Sequence, residues 1–260
     1  MTDFSHIHQY GTGAAQVVAK ARDYSPGTLT PRHAHPTAQL IYAVEGVMVV
    51  VTARGQWIVP STRGIWLPID TWHEVRMITH VRMRTVYVRH DALDGLPDEC
   101  RVLAITPLLR ELILAAMTVA IPYGDDSRDG RVMRLLLDEI RSLPSLALAL
   151  PKPDTPALRE LCDALQAHPD AGDSVESWAR RFAMDPRTLQ RRFHKETGLS
   201  LGRWRRQARL IGALERLAAG ASVLQVSLDM GYASPSAFAT MFKRELGVPP
   251  SEFFAVEAGG

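Results

Sequence analysis

The sequence predicts an α+β chain of two domains, an N-terminal β-barrel followed by an all-α domain. Three observations carry this. Short β-branched and apolar segments, punctuated by Gly turns, fill residues 15 to about 90. Beyond residue 100 the apolar positions recur at helical rather than strand spacing. Between the halves, LPSLALALPKPDTP places prolines at 144, 151, 153 and 156, the signature of a linker.

The strand segments come in a regular order. QLIYAV (39–44) and VMVVVT (47–52) flank a Glu45-Gly46 turn, and Arg54-Gly55 precedes QWIVP. IWLP, WHEVRMI and MRTVYV follow at short spacing, which suits a small barrel or sandwich. Leu108, Leu109, Leu112 and Ala116 then mark one helical stripe, and Val132, Leu136, Ile140 and Leu143 a second. The polar loop YGDDSRDG separates them, and from Ala157 onward the pattern is helical. The expected domains are 1–100, 101–150 and 151–260.

The composition excludes several classes. At 260 residues, with 46% hydrophobic and 22% charged residues, the chain is an ordinary globular sequence. It has no run of 18 apolar residues, so no transmembrane helix is expected. MTDFSHIHQY lacks the basic and apolar regions of a secretory signal. Cys100 and Cys162 form no close metal pair, and a cytoplasmic chain with two unrelated thiols is expected.

The net charge of +2 says little, but its distribution says more. Arg180, Arg181, Arg187, Arg191, Arg192, Lys195, Arg203, Arg205, Arg206 and Arg209 are opposed locally only by Asp185 and Glu196. Such a field is the footprint of a phosphate-binding surface, although a solvated helix face would look the same.

A repeat separates these readings. DPRTLQRRFHKETGLS begins at Asp185 and SPSAFATMFKRELGVP at Ser234. Each opens on a polar N-cap followed by Pro, which fits the first helical turn without losing a hydrogen bond. Leu189 and Phe193 share one helix face, as do Phe238 and Phe242, and these faces are expected in the core. Opposite them, Arg187, Gln190, Arg191 and His194 form an i, i+3, i+4, i+7 stripe. Arg forms bidentate contacts with guanine and Gln with adenine in the major groove. Ser236, Ala239, Thr240 and Lys243 occupy the equivalent face of the second copy and offer fewer directional bonds. The first helix is therefore expected to carry more base readout, the second more backbone anchoring. Shorter amphipathic segments, SVESWARRF (174–182) and SVLQVSLDM (222–230), precede the two copies, making each a helix-turn-helix. GRWRRQARLIGALERLAAG, with Trp204, Ala208, Ile211 and Leu214 on one side, would fix their separation.

LQRRFHKETG, RLIGALERLAAG and MGYASPSAFATMFKRELGVPPSEF together resemble the DNA-binding domain of the AraC/XylS transcription regulators over residues 155–255. The resemblance implies seven helices, with two reading helices entering successive major grooves on one side of the DNA. It also implies that the helices following the sensor domain pair two subunits; packing of helix 131–143 against its own barrel is the competing reading. Ala183 departs from the pattern, standing where the first turn usually has Gly.

The N-terminal half holds a second constellation. Gly27, His33, His35, Gln39 and Gly46 are followed by Pro68, Asp70 and His73. On a strand, His33 and His35 point to one side. This spacing resembles the two cupin motifs, and many regulators of the family carry a cupin sensor ahead of the DNA-binding part. Gln39 stands where metal cupins usually carry Glu, and Met77 where they tend to have Asn. Gln is a weaker ligand for a divalent ion than a carboxylate. Three readings stay open: a divalent transition metal at His33, His35, Gln39 and His73; a pocket for a small organic effector without metal; or histidines that only hydrogen-bond within the barrel. Trp57, Trp66 and Trp72 either wall a pocket or fill the core, and His6, His8, His80 and His90 are expected at the surface.

The expected function is that of a bacterial, cytoplasmic transcription regulator, activator or repressor, controlled by a small-molecule effector. Its partners would be promoter DNA, the effector, RNA polymerase and a second copy of the chain. Base reading falls to the two stripes named above, and phosphate contacts to Arg192, Lys195, Arg203, Arg205, Arg206 and Arg244. The alternatives are a metal-dependent cupin enzyme with a helical appendage, which Gln39 and the lack of an evident acid–base pair weaken, and an adaptor whose basic stripe contacts acidic protein.

Overall fold

The computed structural model describes residues 15–143, 145–146, 149–171, 173–246 and 249–253. His6, His8 and Gly247, the expected close of the second repeat, lie outside them. The chain divides into two compact units, Met1–Ala53 with Trp57–Ala149 and Arg54–Gln56 with Leu150–Gly260.

The first unit begins with β1 (Val17–Tyr24), β2 (Ala38–Glu45), β3 (Val47–Thr52), β4 (Gly55–Pro60), β5 (Arg63–Leu67), β6 (His73–Met77), β7 (Val81–Val88) and β8 (Arg101–Ala104). Two helices follow, α1 (Pro107–Ala116) and α2 (Arg128–Ser142), and then β9 (Ser145–Leu146). The antiparallel strands do not close into the expected barrel. One sheet has the order β1-β7-β2-β5-β8-β9, and β4-β3-β6 belong to another. The break falls at Glu45-Gly46: the ladder between β2 and β7 slips just before it, between Ala43 and Glu45, and Gly46 takes φ +90°. A Cβ there would lie 2.0 Å from the His80 carbonyl oxygen, so only Gly makes this corner. The chain thus changes sheets instead of forming the hairpin that the turn residues suggest.

Pleating divides β2 between two cores. Ile41 and Ala43 join Met48, Val50, Val59 and Val75 between the sheets. Leu40 and Tyr42 face the other way, onto Leu109, Leu112 and Ile113 of α1 and Met133, Leu136 and Ile140 of α2. Both helices therefore pack on their own sheet. Leu108, expected in the stripe, is exposed, because Ile113 completes the buried face with Leu109, Leu112 and Ala116. Part of the expected linker is ordered backbone: Val102 and Leu103 of β8 pair with Leu146 and Ser145 of β9. Trp57 and Trp66 are core; Trp72 is exposed beneath the Arg32 guanidinium.

Among the described residues the second unit contains β10 (Ala149–Pro151) and seven helices: α3 (Pro156–Ala167), α4 (Val175–Arg181), α5 (Pro186–Thr197), α6 (Leu201–Ala218), α7 (Val223–Asp229), α8 (Pro235–Leu246) and α9 (Pro250–Phe253). Its core is the one the repeat predicts. Leu189, Phe193, Phe238 and Phe242 are fully buried, with Trp204, Ala208, Ile211 and Leu214 of α6. Trp204 packs edge-on against Phe193 and donates its indole N–H to the Pro151 carbonyl at 2.8 Å.

Candidate functional site

The two expected reading helices are built alike. The Asp185 carboxylate accepts from the backbone N–H of Arg187 (2.9 Å) and Thr188 (3.2 Å), and the Ser234 hydroxyl from that of Ala237 (3.2 Å). These bonds satisfy first-turn donors that the helices cannot pair themselves. The buried Leu and Phe residues fix the rotation of each helix and turn the opposite stripe outward. Arg187, Gln190, Arg191 and His194 are all exposed on α5, as are Ser236, Thr240 and Lys243 on α8, while Ala239 is half-buried. Arg187 and Arg191 form no ion pair among the described residues. Thr240 donates its hydroxyl to the Ser236 carbonyl at 2.9 Å, which leaves that side chain only acceptor capacity. The face of α8 is thus poorer in donors than that of α5.

Of the expected phosphate partners, Arg192, Lys195, Arg203, Arg206 and Arg244 are exposed. Arg244 pairs with Glu245 at 2.9 Å. Arg205 is placed differently from these. It is half-buried and donates to the Ala171 carbonyl, so its guanidinium is engaged by the loop before α4. Charge counting along the sequence does not show this carbonyl contact.

Glu196 also has a role that charge counting misses. Its carboxylate accepts from the backbone N–H of Asp154 and Thr155, both at 2.9 Å, and from the Thr155 hydroxyl at 2.5 Å. It therefore caps α3, whose own N-cap Thr155 makes no side-chain capping bond. Burial alone would raise its carboxyl pKa, but the Thr155 and Asp154 donors and the Arg192 charge outweigh it and hold the group below its ordinary value.

In the first unit, the segment ahead of β2 lies along β6. Backbone bonds run from Thr30 to Val75 (2.9 Å), from His33 to His73 (2.9 Å) and back from His73 to His33 (2.8 Å). Asp70, at φ +54°, donates its N–H to the His35 carbonyl at 2.8 Å. The downstream Pro68-x-Asp70-x2-His73 motif is thereby zipped to the upstream one. His33, His35 and His73 converge, with ring centroids 4.3–5.6 Å apart. Tyr87 stands edge-on to His35 at 5.2 Å.

Gln39, on the inter-sheet face of β2, lines the same cavity as His33, His73, Thr85 and Tyr87, with Lys20 and Arg22 also at its wall. The cavity measures about 110 Å³. That is well below the roughly 300–1,000 Å³ of sites for drug-sized ligands. His33 Nδ1 lies 2.6 Å from the Pro31 carbonyl oxygen and His73 Nδ1 2.8 Å from that of Thr71. A carbonyl oxygen only accepts, so both rings carry their proton on Nδ1 and turn an Nε2 lone pair elsewhere. Burial pushes the His73 imidazole down to about 4; the Thr71 carbonyl opposes this shift and the His33 charge adds to it. His80 and His90 are exposed, as expected.

Residues 178–255 match the helix-turn-helix domain, and residues 16–178 match the AraC-like ligand binding domain. The chain belongs to the AraC family of transcriptional regulators. It is 33% identical over 226 residues to the HTH-type transcriptional regulator NimR of Escherichia coli K12, covering 87% of this chain and 82% of that one. It is 31% identical over 137 residues to the regulator RipA of Corynebacterium glutamicum, covering 53% and 39%. Among solved structures it resembles the DNA-binding domain of AdpA in complex with a target DNA, with 30% identity, 41% of this chain and 100% of that chain covered, and a TM-score of 0.36. As an AraC-family regulator, the chain combines a ligand-binding N-terminal domain with a DNA-binding helix-turn-helix domain. No helix among the described residues is long and apolar enough to cross a membrane.

Proposed function

We propose that this AraC-family regulator works in the cytoplasm, reads its operator chiefly through α5, and is switched by a small effector held in the cavity beside His33, His35, Gln39 and His73. The observation that carries the DNA reading is the outward Arg187, Gln190, Arg191 stripe on a helix fixed by buried Leu189 and Phe193. Three side chains on one face can each make directional bonds to base edges. Arg192, Lys195, Arg203, Arg206 and Arg244 take phosphates and set register, and the donor-poor face of α8 anchors the second groove. Effector binding biases the population of arrangements that engage the promoter. RNA polymerase and a second copy of the chain are the expected protein partners.

Nuclease footprinting with the full chain tests this reading. The expected footprint spans two successive major grooves on one face of the duplex, and Arg191→Ala changes the preferred base at one position. A footprint unaltered by Arg187→Ala, Gln190→Ala and Arg191→Ala together would remove α5 from base reading.

A further inference from the structure

We infer that His33, His35 and His73 hold a divalent transition-metal ion through neutral imidazoles, with the Gln39 amide oxygen beside it and an open position toward the cavity for a small anionic oxygen donor. The inference rests on the cavity being the effector site, and it names the chemistry of that effector.

Geometry supplies the first support. One ring nitrogen from each histidine lies within 4.8 Å of the others. An ion held by imidazoles at about 2.0–2.1 Å needs them roughly 3–3.5 Å apart. Small rotations about the side-chain torsions close that gap.

The second support is hydrogen bonding. His73 Nε2 and Gln39 Oε1 are buried and make no hydrogen bond among the described residues. His73 is 2% exposed and Gln39 4%. Leaving such groups unsatisfied is costly unless something completes them. The Pro31 and Thr71 carbonyls meanwhile fix the Nδ1–H tautomer of His33 and His73. A backbone carbonyl on the distal ring nitrogen is the usual outer support of a metal-binding imidazole, because it orients the ring and raises its basicity.

The third support is charge. No Asp or Glu is among the described residues lining the cavity, whereas Lys20 and Arg22 are. Neutral ligands leave a bound dication its full charge, beside two cationic side chains. An imidazole-rich set suits zinc, nickel, copper or iron, and not magnesium or calcium, which demand oxygen ligands. The remaining position therefore favours an anion small enough for about 110 Å³. A carboxylate-bearing or other oxyanionic effector meets both conditions.

The test uses the untagged full chain, purified without chelators. Elemental analysis should find about one transition-metal ion per chain, and Co(II) titration of the stripped protein should give visible d–d absorption saturating near one equivalent. His35→Ala and His73→Ala should cut occupancy at least ~10-fold. Gln39→Glu, which adds a carboxylate without removing an imidazole, should tighten Co(II) binding by ~10-fold or more, and it decides the matter if the histidine variants fail to fold. Oxalate, as a small dianionic probe, should shift the cobalt band. A folded wild-type chain that binds neither Zn(II), Ni(II) nor Co(II) at micromolar concentration overturns the site. An unchanged affinity in Gln39→Glu removes Gln39 from the ion, and an oxalate-insensitive band removes the open position. None of these readouts involves DNA, so their failure leaves the footprinting result untouched.

Discussion

Ala183 and Gly231 occupy the same left-handed position in the turns of the two helix-turn-helix units, at φ +50° and +70°. Around each, the bonding is the same. The N–H of Ala183 reaches the Arg180 carbonyl and that of Met184 the Ala179 carbonyl, at 3.1 and 2.8 Å. Gly231 reaches Leu228 and Tyr232 reaches Ser227, at 2.8 and 2.9 Å. One copy meets the backbone demand with glycine and the other with a residue whose Cβ opposes it.

Ala183→Gly should therefore stabilise the second unit. Relief of the left-handed alanine is worth about 1–2 kcal/mol, and the added freedom of the unfolded chain costs about 0.4–1 kcal/mol. A net gain of up to about 1.6 kcal/mol is expected, read as a higher urea midpoint at unchanged m. Gly231→Ala should do the reverse and more, since its Cβ would sit 2.9 Å from Asp170 Cα. A loss of stability in Ala183→Gly would contradict the strain argument.

Glu196→Gln should weaken the cap on α3 by about 0.5–2 kcal/mol near neutral pH, the range measured for lost helix caps. The pH dependence has a definite sign. A carboxylate held below its ordinary value contributes stability that is complete above that value and disappears as pH falls through the folded one. Wild type and variant should thus converge in acid and differ at neutrality. Partial exposure screens the charge and keeps the effect small. Parallel pH profiles for the two proteins would show that the ionised carboxylate is not the capping group.

Arg191→Ala should cost about 1–3 kcal/mol in operator affinity and relax preference at one base pair. Lys195→Ala should weaken all sequences alike and reduce the salt slope by about one. Site selection from randomised DNA, repeated at two salt concentrations, separates the two. Altered base preference in Lys195→Ala, with none in Arg191→Ala, would exchange the roles.

Cys162 should resist alkylation in the folded chain. Burial, with a smaller contribution from Asp163, pushes its thiol up to about 12 against the opposing Lys152 charge. The thiolate fraction at pH 8 is then ~10⁻⁴. Peptide mass spectrometry after iodoacetamide treatment should find Cys162 unmodified in buffer and modified in urea. Rapid native labelling would mean that α3 opens readily.

The second unit was legible because its information is local. Caps, prolines and the four-residue spacing of Leu189 and Phe193 lie within single helices, so sequence order is spatial order. The convergence of His33 and His73 was legible for a different reason, since the two motifs bring paired backbone segments with them. What escaped was set by neighbours distant in sequence. The Gly46 corner depends on the His80 carbonyl, the engagement of Arg205 on Ala171, and the capping role of Glu196 on Asp154 and Thr155. No periodicity marks such partners. Likewise, β2 read as a plain apolar run, which does not tell a strand with one buried face from a strand with two.

That second buried face has a mechanical consequence. Gln39 and Ile41 wall the cavity, while Leu40 and Tyr42, between and beyond them, press on α1 and α2. A strand with solvent on one side can yield outward without disturbing anything. β2 has no such slack, because close-packed groups bear on both sides and interiors are nearly incompressible. An effector pressing on Gln39 and Ile41 would therefore shift a partition whose reverse side is the footing of two helices. Under the effector proposed above, the pleat of one strand would act as a diaphragm, turning the volume of a small guest into displacement of a helical surface on the far side of the sheet.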